Sequence, residues 1–155
     1  MMTNPRGFAL LIAILIATVA VTLGVSLLDI SYKQVILTST AKQSRVSFYA
    51  ADSALECALY YDQQVNAFSY ANPIAAASVR CQNMAVQSYN TYTENAAGGP
   101  RRVTTFTIPC ATGGSNANVT IYKSSSGPTN IYANGYNSCN TSEPRRVERG
   151  LKVFY

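Results

Sequence analysis

The sequence predicts an α+β protein: one long amino-terminal helix, membrane-embedded in its first half and amphipathic in its second half, packed on a small antiparallel β-sheet head. Three observations predict this fold. An apolar run stands near the start, a helical apolar pattern continues beyond it without a proline, and short β-like stretches separated by turn residues fill the last third.

The apolar run covers residues 8–28, about 21 residues without a charge, a proline or an amide side chain. As a helix it would be roughly 31 Å long, which matches the hydrocarbon core of a bilayer. A cleaved secretory signal usually has a shorter apolar stretch of about 7–15 residues. We therefore expect a membrane-spanning segment. Export by ordinary signal peptidase near Ala20 is disfavoured, because the helical pattern continues past that position.

The helical pattern continues through residues 29–62, and no proline occurs between Arg6 and Asn72. The predicted apolar face consists of Ile30, Leu37, Ala41, Phe48, Ala51, Leu55 and Ala58. The predicted solvated face carries Lys33, Gln34, Lys42, Arg45, Asp52, Glu56 and Asp62. We expect one helix from about residue 8 to residue 61, with Phe48 and Leu55 covered by the head.

Residues 63–155 form the predicted β-rich head. Residues 66–84 fit a short helix before a strand near Val79, and residues 96–100 fit a turn. Four later stretches alternate and are rich in β-branched and aromatic residues: 101–110, 118–123, 130–139 and 147–155. The loops between them are 112–116, 124–128 and 140–144. Such short spacings favour antiparallel hairpins with one apolar face against the helix.

Four cysteines come after the apolar segment: Cys57, Cys81, Cys110 and Cys139. An even number at wide spacing, in a chain without histidine, favours disulfides formed in an oxidising compartment over reduced, buried thiols. We expect no metal site, because neither a C-x-x-C pair nor a histidine is present. Three connectivities are open. We favour Cys57–Cys81, which ties the helix end to the segment after it, and Cys110–Cys139, which joins two strand ends.

Charge near the apolar run indicates the orientation in the membrane. Arg6 and the amino terminus precede the run without an accompanying acid, so the positive-inside rule leaves this end cytoplasmic and sends the head outside. Lys33, Lys42 and Arg45 on the other side oppose this orientation. The cysteines support it independently, since disulfides form outside the cytoplasm.

The beginning of the chain resembles the type IV pilin-like family: a short basic leader ending in glycine, then phenylalanine, an uncharged apolar helix and a long amphipathic continuation. The stretch SFYAADSALECALYYD (47–62) further resembles minor pilins of the PilX type, and the closing RRVERGLKVFY resembles their last strand. The resemblance implies a prepilin leader of residues 1–7, cleavage by prepilin peptidase between Gly7 and Phe8, and methylation of Phe8.

Most members of that family carry a glutamate at the fifth position after the cleavage site, where this chain has Ile12. A carboxylate in apolar surroundings is unfavourable unless an opposite charge meets it, and a neighbouring subunit's terminal amine supplies that charge. With Ile12 the chain cannot offer this pair, although its own amine can still meet a glutamate on another subunit. The resemblance implies assembly and membrane contacts through Phe8, Leu11, Ile12 and Leu15.

The missing glutamate suggests a terminal or low-copy minor subunit or a pseudopilin. The alternative is that Ile12 only improves membrane insertion in an ordinary minor subunit. The expected partners are other pilin subunits, prepilin peptidase, the pilus assembly platform and, for the precursor, the membrane. The expected locations are the cytoplasmic membrane, with a single span and the head outside, and then an extracellular filament.

An enzymatic function finds little support in the sequence. The chain has no histidine and seven carboxylates. Asp52 and Glu56 lie one helical turn apart, which fits a solvated helix face better than an acid pair. A glycine-rich phosphate loop with its lysine is not present. We predict no catalytic residue and no cofactor.

Basic residues recur in the head as Arg101–Arg102 and Arg145–Arg146, with Arg149 and Lys152 close behind. With eleven tyrosines in the chain, they could contact DNA through phosphates and stacking. We favour a solvated strand edge, where basic residues discourage aggregation. The alternative to a filament subunit is an uncleaved single-pass exodomain that binds an envelope or extracellular partner, with DNA as the less favoured case.

Overall fold

The computed structural model describes residues 5–96, 98–110 and 114–155. One long helix and a small antiparallel sheet after it confirm the predicted α+β class. The chain divides into two compact units, Met1–Thr40 and Ala41–Tyr155. Residues 1–4 of the expected leader, residue 97 of the predicted turn, and residues 112 and 113 of a predicted loop lie outside the described residues.

Helix α1 runs from Pro5 to Gln63, a length of 59 residues, and so extends the expected helix at both ends. Proline is tolerated in the first turn, where its missing N–H has no intrahelical partner. After the helix Asn66 adopts a φ of 52°, a left-handed conformation that asparagine accepts more readily than most residues. The Ala67 N–H then donates to the Tyr61 carbonyl at 2.9 Å, which satisfies one of the last helical carbonyls.

A short irregular segment joins the helix to the main sheet. It holds one turn of 3-10 helix, Ala76–Ser78, and a small hairpin of strands β1, Arg80–Cys81, and β2, Met84–Ala85. Gln82 and Asn83 form the hairpin turn with φ values of 54° and 63°. This arrangement agrees with the expected short helix before a strand near Val79.

Within the described residues, the main sheet has five antiparallel strands in the order β3-β4-β5-β6-β7. They are β3 Gln87–Ala96, β4 Gly99–Ile108, β5 Asn116–Ser124, β6 Thr129–Tyr136 and β7 Glu148–Phe154. The sequence predicted only the last four. Strand β3 was missed because Asn, Gln, Glu and Ser interrupt its threonines and tyrosines. As an edge strand with a mostly exposed surface, it does not need an apolar face.

The core of the head lies between the sheet and the second half of α1. Its largest fully buried side chains include Phe68, Phe106, Ile121 and Ile131. The rings of Phe68 and Phe106 stack with centroids 5.8 Å apart. The helix contributes small residues to the buried side, namely Ser47, Ala51, Ala54 and Ala58.

Gly135 explains why small residues form the buried helix face. A Cβ at this position of β6 would overlap the backbone of α1 at Ser47 and Ala51. At such a close approach large side chains have no room between helix and sheet. The expected burial of Phe48 is therefore wrong, since Phe48 is 44% exposed, whereas Leu55 is half-buried and packs against the core.

Candidate functional site

The first candidate site is the apolar part of α1. An 18-residue window within it has a mean hydropathy of 2.8, and 0% of that window is buried inside the protein. By length and composition this helix could cross a membrane. The expected processing position, Gly7–Phe8, lies near the beginning of α1. The side chains of Phe8, Leu11, Ile12 and Leu15 all point outward, with exposures between 41% for Ile12 and 71% for Phe8.

Hydroxyl groups within this apolar segment are satisfied by the helix itself. Thr18 and Thr22 donate to the carbonyls of Leu15 and Val19 at 2.8 Å, and Ser26 donates to the Thr22 carbonyl at 2.9 Å. These back-bonds lower the cost of placing a hydroxyl in lipid or among apolar helices. One side carries a shallow apolar groove, which is lined by Ile14, Ala17, Thr18, Val21 and Thr22.

Asp62, near the end of α1, binds Lys123 of strand β5 and Tyr155 after strand β7. Both of its carboxylate oxygens accept hydrogen bonds from Lys123 Nζ at 2.7 Å, and Oδ2 also accepts one from the Tyr155 hydroxyl at 2.5 Å. The Asp62 side chain is 1% exposed and that of Lys123 is 22% exposed. The expectation that Asp62 lies on a solvated face is wrong, because its two partners come from residues distant in sequence.

Tyr155 as a whole is 44% exposed, but its hydroxyl meets the buried carboxylate of Asp62, and this contact changes the pKa of the phenol. Burial of the phenol raises its pKa, and the hydrogen bond to Asp62 together with the negative charge of that carboxylate raises the pKa further. The neutral phenol is therefore the form that the folded protein stabilises.

The four cysteines form two disulfides, Cys57–Cys81 and Cys110–Cys139, with Cα–Cα distances of 5.8 and 6.0 Å. This is the pairing that the sequence favoured. The first disulfide ties α1 to strand β1, and the second joins the segments after β4 and β6. On the same helix Asp52 is half-buried and Glu56 is exposed.

The basic pairs do not form one continuous patch. Arg101 makes an ion pair with Glu94 and lies over the Tyr122 ring, with Cζ 4.4 Å from the centroid. Its neighbour Arg102 is directly opposite Lys123 in the register and therefore shares the face that meets the helix. The expected strand edge is wrong for this pair, since β4 lies inside the sheet.

The second basic group is also dispersed. Arg146 lies over Tyr136 with Cζ 3.8 Å from the ring centroid, and Arg149 donates from Nε to Ser44 Oγ on α1 at 2.7 Å. Arg149 and Lys152 belong to an edge strand, β7, as the sequence predicted. Sequence spacing alone could not separate these surroundings, because it shows neither which face of a strand meets the helix nor which strand lies at the edge of the sheet.

The face of the sheet that points away from α1 carries a second candidate site. A shallow depression of about 270 Å³ is lined by Arg101, Thr120, Tyr122, Asn130 and Tyr132. This group was not predicted from the sequence. Its signal was the alternation of polar and aromatic residues with buried aliphatic residues along β5 and β6, which places these side chains on one face.

The fold and these sites define an α+β protein with an apolar amino-terminal helix that could span a membrane. Comparison with protein families, with curated proteins and with solved structures finds no match for the chain. Its own residues, and the resemblance of its first 62 residues to the pilin-like family, are therefore the basis for a functional proposal.

Proposed function

We propose that this chain is a structural minor subunit of a type IV pilus or pseudopilus. Prepilin peptidase cleaves it between Gly7 and Phe8, and it assembles through its amino-terminal helix. The observation that carries the proposal is the continuity of α1 from Pro5 to Gln63, with an exposed apolar first half and a second half that packs on a disulfide-bonded head. The precursor resides in the cytoplasmic membrane with its head outside.

The exposed apolar segment supports assembly among other helices. A contiguous apolar surface of this size is not stable in water and needs a bilayer or a protein partner to cover it. In a filament, neighbouring subunits would replace the lipid, and the back-bonded Thr18, Thr22 and Ser26 would permit close helix contacts. The expected partners are other pilin subunits and the assembly platform.

Ile12 supports a position at or near the tip. A subunit without the glutamate cannot form the axial salt bridge to the amine of a subunit above it, but its own amine can pair with a glutamate below. A subunit that bonds on one side only is suited to the end of a filament.

Mass spectrometry of the intact protein and its amino terminus, from native membranes and sheared filaments, tests the proposal. We expect a chain that begins at methylated Phe8 and is present in the filaments. A Gly7→Val variant should keep its leader, while the matched leader variant Thr3→Val should be processed normally.

A chain that begins at Met1 or Met2 in cells with active prepilin peptidase would overturn the proposal. It would support the alternative, an uncleaved single-pass exodomain that binds an envelope or extracellular partner. A start near Val21 would instead indicate simple secretion.

A further inference from the structure

The sheet face that points away from α1 is a preformed surface of neutral polar and aromatic side chains. In the register Thr120 lies opposite Tyr132 and Tyr122 lies opposite Asn130, so the four share one face. Their neighbours Ile121 and Ile131 are fully buried on the other face, against the helix. These four residues and Arg101 line the depression of about 270 Å³, close to the lower end of the roughly 300–1,000 Å³ typical of ligand pockets.

The two tyrosine rings are held in place by their neighbours. The rings of Tyr122 and Tyr132 pack edge to face, with centroids 5.7 Å apart and an interplanar angle of 87°. Arg101 lies over the first ring, and Lys152 Nζ is 5.0 Å from the centroid of the second. These contacts already restrict the two tyrosine side chains. Less binding free energy is therefore needed to order them when a ligand binds.

The charges around the depression argue for a neutral ligand. Glu94 balances Arg101 through their ion pair. Lys123 is turned to the helix side and bound to Asp62, and Arg149 donates to α1. Lys152, beside the Tyr132 ring, is the one cation in contact with the depression for which the described residues show no ion pair. A nucleic acid gains most of its affinity from several basic contacts along one surface, and a single lysine does not supply them.

We propose that this depression binds a neutral saccharide. The apolar C–H face of a pyranose ring would pack against a tyrosine ring, which combines an apolar body with a polar hydroxyl. The sugar hydroxyls would donate to and accept from the Asn130 amide and the Thr120 hydroxyl and would accept from the Arg101 guanidinium. This activity is independent of filament assembly, because residues 8–28 take no part in it.

Saturation-transfer NMR and then titration calorimetry on the full chain test the proposal. The protein is kept in lauryldimethylamine oxide, since a detergent with a sugar headgroup would compete for the site. The probes are cellotriose, maltotriose and the trimer of N-acetylglucosamine, with an oligothymidine strand as the anionic comparison. We expect at least one trisaccharide to bind at millimolar concentration or better, and the oligonucleotide not to bind at this face.

Two variants and one matched control locate the binding. Tyr132→Ala and Asn130→Ala should each weaken binding by about tenfold, while Tyr60→Ala, at an exposed tyrosine of α1, should leave it unchanged. Thermal unfolding monitored by circular dichroism verifies that each variant is folded. The proposal is overturned if no trisaccharide binds, if the Asn130→Ala and Tyr132→Ala variants bind as well as the unaltered chain, or if the oligonucleotide binds through these residues.

Discussion

Gly135 and Asp62 hold the second half of α1 against the sheet in two different ways. Gly135 has no side chain, which allows strand β6 to approach the helix backbone at Ser47 and Ala51. Asp62 accepts charge-assisted hydrogen bonds from Lys123 and a further one from Tyr155. The first residue permits close packing and the second adds polar contacts at the end of the helix.

We expect Gly135→Ala to lower the free energy of unfolding of the head by about 3 kcal/mol. The added Cβ overlaps backbone atoms of α1, which cannot move aside as a flexible side chain can. Urea denaturation monitored by circular dichroism measures the change. Gly98→Ala is the control, because a Cβ there meets nothing within 4 Å. Equal losses in the two variants would contradict the close-approach argument.

We expect Asp62→Asn to lower the free energy of unfolding by about 2–3 kcal/mol, because it leaves Lys123 without its counter-charge. This loss is at the low end of the range for buried ion pairs, because Lys123 is partly exposed and can still reach water. The double variant Asp62→Leu/Lys123→Met should recover part of the loss in the same denaturation experiment. The matched control Asp52→Asn should change stability by less than about 0.5 kcal/mol. A double variant less stable than Asp62→Asn would contradict this account.

The raised pKa of Tyr155 predicts a loss of stability in alkaline solution. The ordinary pKa is 10.0, and burial with the bond to Asp62 raises it in the folded state. Between the unfolded and folded pKa values the unfolded chain binds fewer protons, so the free energy of unfolding falls as the pH rises above about 10. Below that pH the contribution of the neutral phenol is fully present.

Denaturation at several pH values between about 8 and 11 tests this prediction. We expect Tyr155→Phe to reduce the alkaline slope of the free energy of unfolding, because phenylalanine does not titrate. Tyr60→Phe, at an exposed phenol, should keep the slope of the unaltered chain. An unchanged slope in Tyr155→Phe would show that other groups cause the alkaline loss.

The secondary-structure elements agree with the local pattern where that pattern is strong. The long periodic run without a proline became α1, and the four alternating stretches became β4 to β7. Strand β3 was not predicted, because most of its side chains are polar and its strand conformation depends on pairing with β4. The buried face of α1 was predicted in part: Ala51 and Ala58 are buried as expected. Ser47 and Ala54 were not predicted, because the close approach of β6, rather than hydrophobicity, requires small residues there.

The disulfides join segments that lie 24 and 29 residues apart in the sequence. We expect Cys57→Ala/Cys81→Ala and Cys110→Ala/Cys139→Ala each to lower the free energy of unfolding by about 3 kcal/mol, given sequence separations of 24 and 29 residues. Urea denaturation of both double variants measures the losses. Reducing agent should destabilise each variant further, because one disulfide remains in each. A variant with unchanged stability would contradict a structural role for the missing disulfide.

The whole molecule combines two units with different surfaces. The unit Met1–Thr40 has an apolar helix surface that its own residues leave exposed, and the unit Ala41–Tyr155 has its own buried core. The first charged residues after the apolar run, Asp29 and Lys33, form an ion pair with each other at 2.7 Å. The first unit is suited to lipid or other helices and the second to water.

At this scale the proposed filament function predicts that Ile12→Glu changes the position of the subunit in the filament. The carboxylate would supply the missing partner for the amine of a second subunit, and the substituted chain would then occur along the filament rather than near its end. Immunogold labelling and quantitative mass spectrometry of sheared filaments measure the position and the copy number. Ile12→Gln is the control, since it is polar but carries no charge. Equal copy numbers in the two variants would contradict a role for the charge.

Local pattern was sufficient for the class of fold, the long helix, most of the sheet and the number of cysteines available for pairing. These properties depend on the spacing of apolar residues and on the types of residue within short, continuous segments of the chain. The resemblance to pilins and the expected processing at Gly7–Phe8 also come from contiguous residues and stay predictions.

The other features of the head depend on contacts between residues that are distant in the sequence. The burial of Asp62, the outward position of Phe48 and the grouping of Tyr122 with Tyr132 depend on which strands meet and in which register. Register and helix approach are set by the packing of the whole head, in which Gly135 limits the distance between α1 and β6. A local sequence pattern cannot predict the distance between α1 and β6, because that distance is set only when segments far apart in the chain come into contact.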